Sequence, residues 1–340
     1  MGENRLTVVT SDYTSSVFRF YEEELAPVHA RLVPAQCTTE EEVIAAARHA
    51  DAIIHEYCPI TRRIIEGLER CRVISHHGIG VDKIDVAAAT EHGVCVANVM
   101  DASLEETSDH LLGMILACAR RFLEFDRAVR EGKWHYQACG ELRQLRGQVL
   151  GFVGFGRIPR LVCRKAAPLG LRLLVYARHP SESLARMYGV EFVPLDTLLA
   201  EADYLSVNLP VTPETRHIIG KNELARMKPS AYLFNIARGQ VVDETALVAA
   251  LEARRLAGAA LDVLEREPPD PSSPILRLSN VLLTPHCAWY SEEAKEDVER
   301  KTARQVARVL GGGWPDPFVN PEVRDRYLRR WGEAATLART

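Results

Sequence analysis

QVLGFVGFGRIP, residues 148–159, decides the fold: an apolar strand runs through Gly154-x-Gly156 directly into a helix begun at Arg157. In a strand–turn–helix of this kind the first glycine permits the tight turn and the second lets the backbone approach a pyrophosphate. A third glycine usually closes the helix onto the strand. Here the third position is Pro159. It falls in the first helical turn, where the N–H has no intrahelical partner and proline is tolerated. The amides of Arg157 and Ile158 therefore stay free to meet a phosphate at the positive helix end. What the proline puts in question is how closely that helix packs on the strand.

Downstream, six more apolar runs follow at helix-length intervals: LRLLVYA, EFVPL, DYLSVNL, AYLFNIA, AGAALDV and NVLLTPH. Seven strands alternating with helices make a doubly wound parallel sheet the expected architecture. Upstream, RLTVVTS, ARLVPA, DAIIHE, RVISH and VCVANV alternate with helical patterns at 18–25, from Thr38 or Thr39, at 60–68 and at 86–92. These form a second, smaller α/β unit. Residues 103–134 open with Ser103-x-x-Glu106, a capping-box pattern, and read as one long apolar helix. The expected division is 1–102 with 297–340 against 103–296. After SEEAKEDVERKTARQVARVLGG, which is helical, WPDPFVNPEV returns to loop.

Composition excludes several classes of function. The chain has 340 residues, 47% hydrophobic and 26% charged, with a net charge of −4. No basic domain or stripe is offered to nucleic acid. No apolar stretch is long enough to span a bilayer, and the first six residues lack a signal-peptide core, so the expectation is a cytoplasmic protein without a membrane partner. The eight cysteines show no C-x-x-C and no metal-ligand spacing. They read as core residues of a reducing compartment, with no metal expected.

The chemistry collects at strand ends, where open α/β sheets bind ligands. After LLVY, where NAD-preferring folds place an acid for the ribose hydroxyl, stand Ala177, Arg178 and His179. Loss of the acid and gain of cations suit a 2′-phosphate, so NADP(H) is expected in preference to NAD(H). Arg238 follows a strand in FNIARGQVVDE, Glu267 in ALDVLEREPP and His286 in LLTPHCAWYS. An arginine, a carboxylate and a histidine on one rim can hold an oxo acid and protonate its carbonyl.

The ordered series VISHHGIGVDKID, GFVGFGRI, NLPVTPETRHIIG, FNIARGQVVDETALVAALE, GAALDVLEREPP and LLTPHCAWYS, spread over residues 50–320, resembles the D-isomer-specific 2-hydroxyacid dehydrogenases. The resemblance implies a Rossmann cofactor domain and a flavodoxin-like substrate domain. It makes Arg238, Glu267 and His286 catalytic: His286 exchanges a proton with the carbonyl oxygen, Glu267 favours the imidazolium and orients the ring, and Arg238 holds the carboxylate. For the cofactor it adds Pro210, Ala237 and Asp262 to Gly154, Gly156, Arg157, Ile158, Ala177, Arg178 and His179, with Asp262 at the nicotinamide carboxamide. For the substrate it adds the loop of His76, His77, Gly78, Ile79 and Gly80.

The run His-x-x-Trp-Tyr-Ser is similar to the carboxy-terminal binding proteins, co-repressors built on this fold. That gives an alternative expectation, a cofactor-sensing protein-binding module with vestigial chemistry. The filled catalytic positions favour the enzyme. Trp289 is expected to wall the substrate's tail, favouring apolar or aromatic 2-oxo acids. The apolar residues 111–119 exceed what one domain interface needs, and a homodimer is expected.

Overall fold

Short runs rich in Val, Ile and Leu, buried on both sides, suit parallel strands covered by helices on each face. The computed structural model, which describes residues 5–13 and 17–336, contains twelve such strands in two all-parallel sheets. The chain divides into one unit of Met1–Ser103 with Ser291–Thr340 and a second of Leu104–Tyr290.

In the first unit β1 (Thr7–Thr10), β2 (Arg31–Pro34), β3 (Ala52–His55), β4 (Val73–His76) and β5 (Cys95–Ala97) lie in the order β2-β1-β3-β4-β5, a flavodoxin-like arrangement. Alternate side chains serve opposite faces. Val9, Ile53, Ile74 and Val96 pack under the helices Glu40–Ala47, Arg62–Glu66 and Val86–Glu91. Val8, Ala52, Ile54, Val73 and Cys95 pack under Arg19–Leu25 and Glu292–Leu310. Thr39 caps the helix Glu40–Ala47 through a capping box with Glu42. Ser291 caps Glu292–Leu310 by accepting the N–H of Ala294 at 2.9 Å. That cap explains why residues 291–296, assigned from sequence to the second unit, belong with the first: a boundary at 297 would cut a helix.

The second unit holds β6 (Val149–Val153), β7 (Arg172–Tyr176), β8 (Val190–Phe192), β9 (Tyr204–Val207), β10 (Tyr232–Asn235), β11 (Gly258–Leu261) and β12 (Val281–Leu283). Their order is β12-β11-β10-β9-β6-β7-β8. The sheet grows one way from β6 through β7 and β8, then the other way from β9, so the ends of β6 and β9 flank the switch-point crevice where such folds bind ligands.

Two expectations about the 103–134 region need correction. It forms two helices, Leu104–Ala119 and Phe122–Arg130, because Arg121 adopts a left-handed conformation, φ 50°, that no α-helix continues. Ser103, just before the first of them, is also left-handed, φ 55°, and its hydroxyl donates to Ala102 O at 2.8 Å. Leu111, Met114, Ile115, Cys118 and Ala119 are not surplus apolar surface: they are buried in the second unit's own core with Val162, Cys163 and Phe234. The concern over Pro159 is answered there too. Pro159, Val162, Cys163 and Ala166 form the buried face of the helix Arg157–Ala166, which is firmly seated. Past the loop, the structure adds a helix that the sequence reading did not reach, Arg324–Thr336.

Candidate active site

At the end of β6, Gly154 has φ 94°, and a Cβ on it would stand 2.6 Å from Asn208 O, so only glycine allows the ends of β6 and β9 to meet. Gly156 is different. A Cβ there would meet nothing within 4 Å. No packing inside the protein requires this glycine, and the open space lies at the N-cap of Arg157–Ala166, where the helix dipole favours an anion. Beside it opens a cavity of about 660 Å³ lined by Gly154, Tyr176, Ala177, Arg178, His179 and Glu214, among others. A strand end, a helix N-terminus and a basic rim are the parts a dinucleotide needs, and the residues present fit one. Arg160, Glu214 and Thr215 also line this cavity and were missed from sequence. Thr215 donates to Pro210 O at 2.6 Å and so ties Pro210 into the same loop.

Three further strand ends carry the reactive side chains. After β12, His286 has φ 53°, and its N–H donates to Asp262 O at 2.8 Å. Its Nδ1 lies 2.7 Å from Glu267 Oε2, both side chains being about one-third exposed. Glu267 is steadied in turn: its Oε1 accepts the N–H of Leu264 at 3.0 Å. After β10, Arg238 donates to Ala237 O at 2.7 Å, and Asn235 fixes the turn by donating to Arg238 O and accepting from Ala237 N. The next residue makes this possible. A Cβ on Gly239 would stand 1.9 Å from the backbone of Leu264, so only glycine lets the Arg238 turn press against the loop that leads to Glu267.

Asp262, 2% exposed, holds the His286 turn together. Its Oδ1 accepts the Thr284 hydroxyl at 2.5 Å and the Cys287 N–H at 2.9 Å; its Oδ2 accepts the Ala288 N–H at 2.9 Å. His110 joins from the helix Leu104–Ala119, with Nε2 3.0 Å from Thr284 Oγ1. Sequence reasoning missed His110, although it stands on the helix's apolar face, four residues before buried Met114. Ligand atoms of His110, Asp262 and Cys287 lie within 4.8 Å of one another. Burial, then Asp262, pushes the Cys287 thiol up, which keeps it protonated, and Asp262 already accepts three hydrogen bonds. The group braces a turn.

In the first unit the loop after β4 is organised differently from the expectation of a uniform row of amides. His77 N–H donates to His55 O at 2.8 Å and Gly78 N–H to His76 O at 2.9 Å. Among the described residues the N–H groups of Ile79 and Gly80 have no such partner. His76 is buried, with its ring 4.7 Å from that of His55. His77 Nδ1 is 3.7 Å from Glu56 Oε1. Burial holds both His55 and His77 down at about 4.

The family model for the D-isomer specific 2-hydroxyacid dehydrogenase NAD-binding domain matches residues 112–288, more than half of the chain and nearly all of the second unit. This chain belongs to the D-isomer-specific 2-hydroxyacid dehydrogenase family. A glyoxylate reductase of Korarchaeum cryptofilum is 39% identical over 290 residues, covering 84% of this chain and 87% of that protein. A D-3-phosphoglycerate dehydrogenase of Methanocaldococcus jannaschii is 37% identical over 85% of this dehydrogenase, which spans only 56% of it. The solved NADPH-dependent glyoxylate/hydroxypyruvate reductase of Sinorhizobium meliloti, in complex with NADP and malonate, superimposes with a TM-score of 0.78 at 27% identity, covering 89% of this dehydrogenase and 93% of that chain. The dehydrogenase is thus an oxidoreductase with a nicotinamide-cofactor domain. Among its described residues no helix is long and apolar enough to cross a membrane.

Proposed function

We propose that this dehydrogenase interconverts a 2-oxo acid and a D-2-hydroxy acid, with His286 as the proton donor and acceptor. The observation that carries the reading is the 2.7 Å contact of His286 Nδ1 with Glu267 Oε2. That hydrogen bond fixes the tautomer and points Nε2 at the substrate. The nicotinamide, when bound, supplies or takes the hydride. In reduction His286 Nε2 gives its proton to the carbonyl oxygen; in oxidation it takes the proton back. Arg238 holds the carboxylate and polarises the carbonyl. The amides of Ile79 and Gly80 serve the carboxylate as well, in a loop shaped by His76, His77 and Gly78. Trp289, half-buried and 5.7 Å edge-on to Tyr290, bounds the tail and favours apolar or aromatic 2-oxo acids over glyoxylate.

For the cofactor, Arg178 and His179 in the 660 Å³ cavity support NADP(H), with NAD(H) accepted less well. Gly154, Gly156, Arg157 and Ile158 take the pyrophosphate; Pro210, Ala237 and Asp262 complete the contacts. Eight unpaired cysteines support a cytoplasmic setting. A homodimer is supported by the exposed apolar side chains of Phe122, Leu123, Val129, Trp134 and Tyr136. The co-repressor alternative gains nothing from the geometry, since the His286–Glu267 pair is assembled.

The test is steady-state reduction across a panel of 2-oxo acids with NADPH and NADH. His286→Ala and Arg238→Ala should each lower kcat by about 10²–10⁴ while cofactor binding, followed by fluorescence, persists. Glu267→Gln, which keeps an acceptor for Nδ1, should lose less than Glu267→Ala. Near-normal turnover by His286→Ala overturns the assignment.

A further inference from the structure

Glu299 has no part in the chemistry above. It lies on the helix Glu292–Leu310, is 2% exposed, and its Oε2 finds no hydrogen-bond partner among the described residues. A buried carboxylate without a partner is costly, and the carboxyl answers by holding its proton: burial raises it to about 7. Glu56, Glu296 and Glu292 push the same way and Lys295 opposes them. Tyr21, from Arg19–Leu25, also faces it; burial and the charge of Glu299 keep that phenol protonated.

Glu299 lines a groove of about 350 Å³ with Val17 and Phe20 on one wall and Glu292, Lys295 and Glu296 on the other. The apolar wall already shows its taste for cations, since the guanidinium groups of Arg19 and Arg300 each lie 4.5 Å from the Phe20 ring centroid. Glu296 is engaged by Arg300 at 2.8 Å. That leaves Lys295 as the cation of the groove that faces Glu299 among the described residues. An anion would meet several carboxyls against one lysine. A divalent metal would want several oxygen ligands at once, and the groove's carboxylates are not a donor group that converges on one point among the described residues.

We propose that this groove binds a compact organic cation, an alkylammonium or guanidinium group, with its stem against Val17 and Phe20 and its charge on Glu299 Oε2. Such a group is carried by a small molecule other than the oxo acid. Because the cation stabilises ionised Glu299, binding releases a proton below pH 7. Affinity rises with pH through about 7, the value to which burial lifts the carboxyl. It levels off above that.

Calorimetry on the full chain loaded with NADPH, with agmatine and n-butylammonium as probes, tests this. Binding should be saturable, about tenfold tighter at pH 8 than at pH 6, and accompanied by proton release at pH 6. Glu299→Gln should abolish it, and Lys295→Met, which removes the competing charge, should tighten it. No binding, or binding that is pH-independent and survives Glu299→Gln, overturns the proposal; the opposite response of Lys295→Met keeps the test decisive if Glu299→Gln fails to fold. The calorimetry stands whatever oxo acid the enzyme reduces, so its failure is separable from failure of the catalytic reading.

Discussion

Asp262 grips the turn of His286 at both ends: its carbonyl accepts the His286 N–H at 2.8 Å while its carboxylate accepts Cys287, Ala288 and Thr284 around it. His286 is held at φ 53°, a conformation that costs a non-glycine residue about 1–3 kcal/mol. The bonds to Asp262 offset that cost. Asp262→Ala leaves two buried N–H groups unsatisfied, at about 1–3 kcal/mol each. The expected result is a thermal midpoint lower by several degrees and a kcat lower by roughly tenfold or more. Asp262→Asn, which keeps one acceptor, should fall between. An unchanged kcat in Asp262→Ala at saturating cofactor would show that the turn holds His286 without help.

The first unit should be acid-labile. His55 and His77 are held at about 4 by burial, whereas in the unfolded chain they titrate near 6.5. Between those values the unfolded chain binds more protons. Stability is therefore intact above pH 6.5 and falls as the pH drops toward 4, by about 1.4 kcal/mol per pH unit for each histidine. Glu299, lifted to about 7 by burial, works the other way over the same range, so urea unfolding followed at pH 4.5–6.5 should show the net slope of about one histidine, which His55→Leu should cancel and Glu299→Gln should about double.

Much of this was legible in the sequence because it is local. Short apolar runs at helix-length intervals marked all twelve strands, and Gly154-x-Gly156 marked the crevice by the steric demands of a strand–helix turn. Glu267 and His286 were named separately, each at a strand end, and the sheet order brought them to 2.7 Å. What stayed hidden is tertiary. Nothing in the spacing of Asp262 and Cys287 says that a carboxylate will cap a turn twenty-five residues on. The break at Arg121 lies in φ, and an apolar run carries no sign of it. The helix Arg324–Thr336 follows three prolines and carries charges on nearly half of its residues; it is held by long-range bonds such as Arg330 to Leu68 O at 3.1 Å and Trp331 to Gly93 O at 3.1 Å.

Assembly can be tested at a different surface from the one the apolar residues 111–119 suggested. Trp134 is 85% exposed and Tyr136 81%, close in sequence to the exposed Phe122, Leu123 and Val129. Large aromatics in such number are unusual on a monomer's surface. Sedimentation velocity at micromolar concentration should give a dimer, and Trp134→Glu with Phe122→Glu should give a folded monomer. Monomeric wild-type protein would leave these side chains without the partner proposed for them.

The proposed preference for NADP(H) rests on Arg178, which shares one cavity with Glu214. Glu214 is held low by the Thr212 hydroxyl, which donates to it at 2.7 Å, and Arg178 lowers it further. Arg178 is thus drawn toward an acid as well as toward any incoming phosphate. With Ala177 in place of an acid, nothing at the end of β7 rewards the ribose hydroxyls of NADH or repels a 2′-phosphate. A charge-assisted hydrogen bond from Arg178 contributes about 1.5–3 kcal/mol, or about tenfold or more in kcat/KM for NADPH over NADH. Salt should weaken that preference, since the rim is partly exposed. Glu214→Gln should raise it, by removing the charge that competes for Arg178 and repels the phosphate. Ala177→Asp with Arg178→Pro should reverse it. Ratios of kcat/KM for the two cofactors at low and high salt measure all three, and a ratio near one that Arg178→Ala leaves unchanged would place the 2′-position away from this arginine.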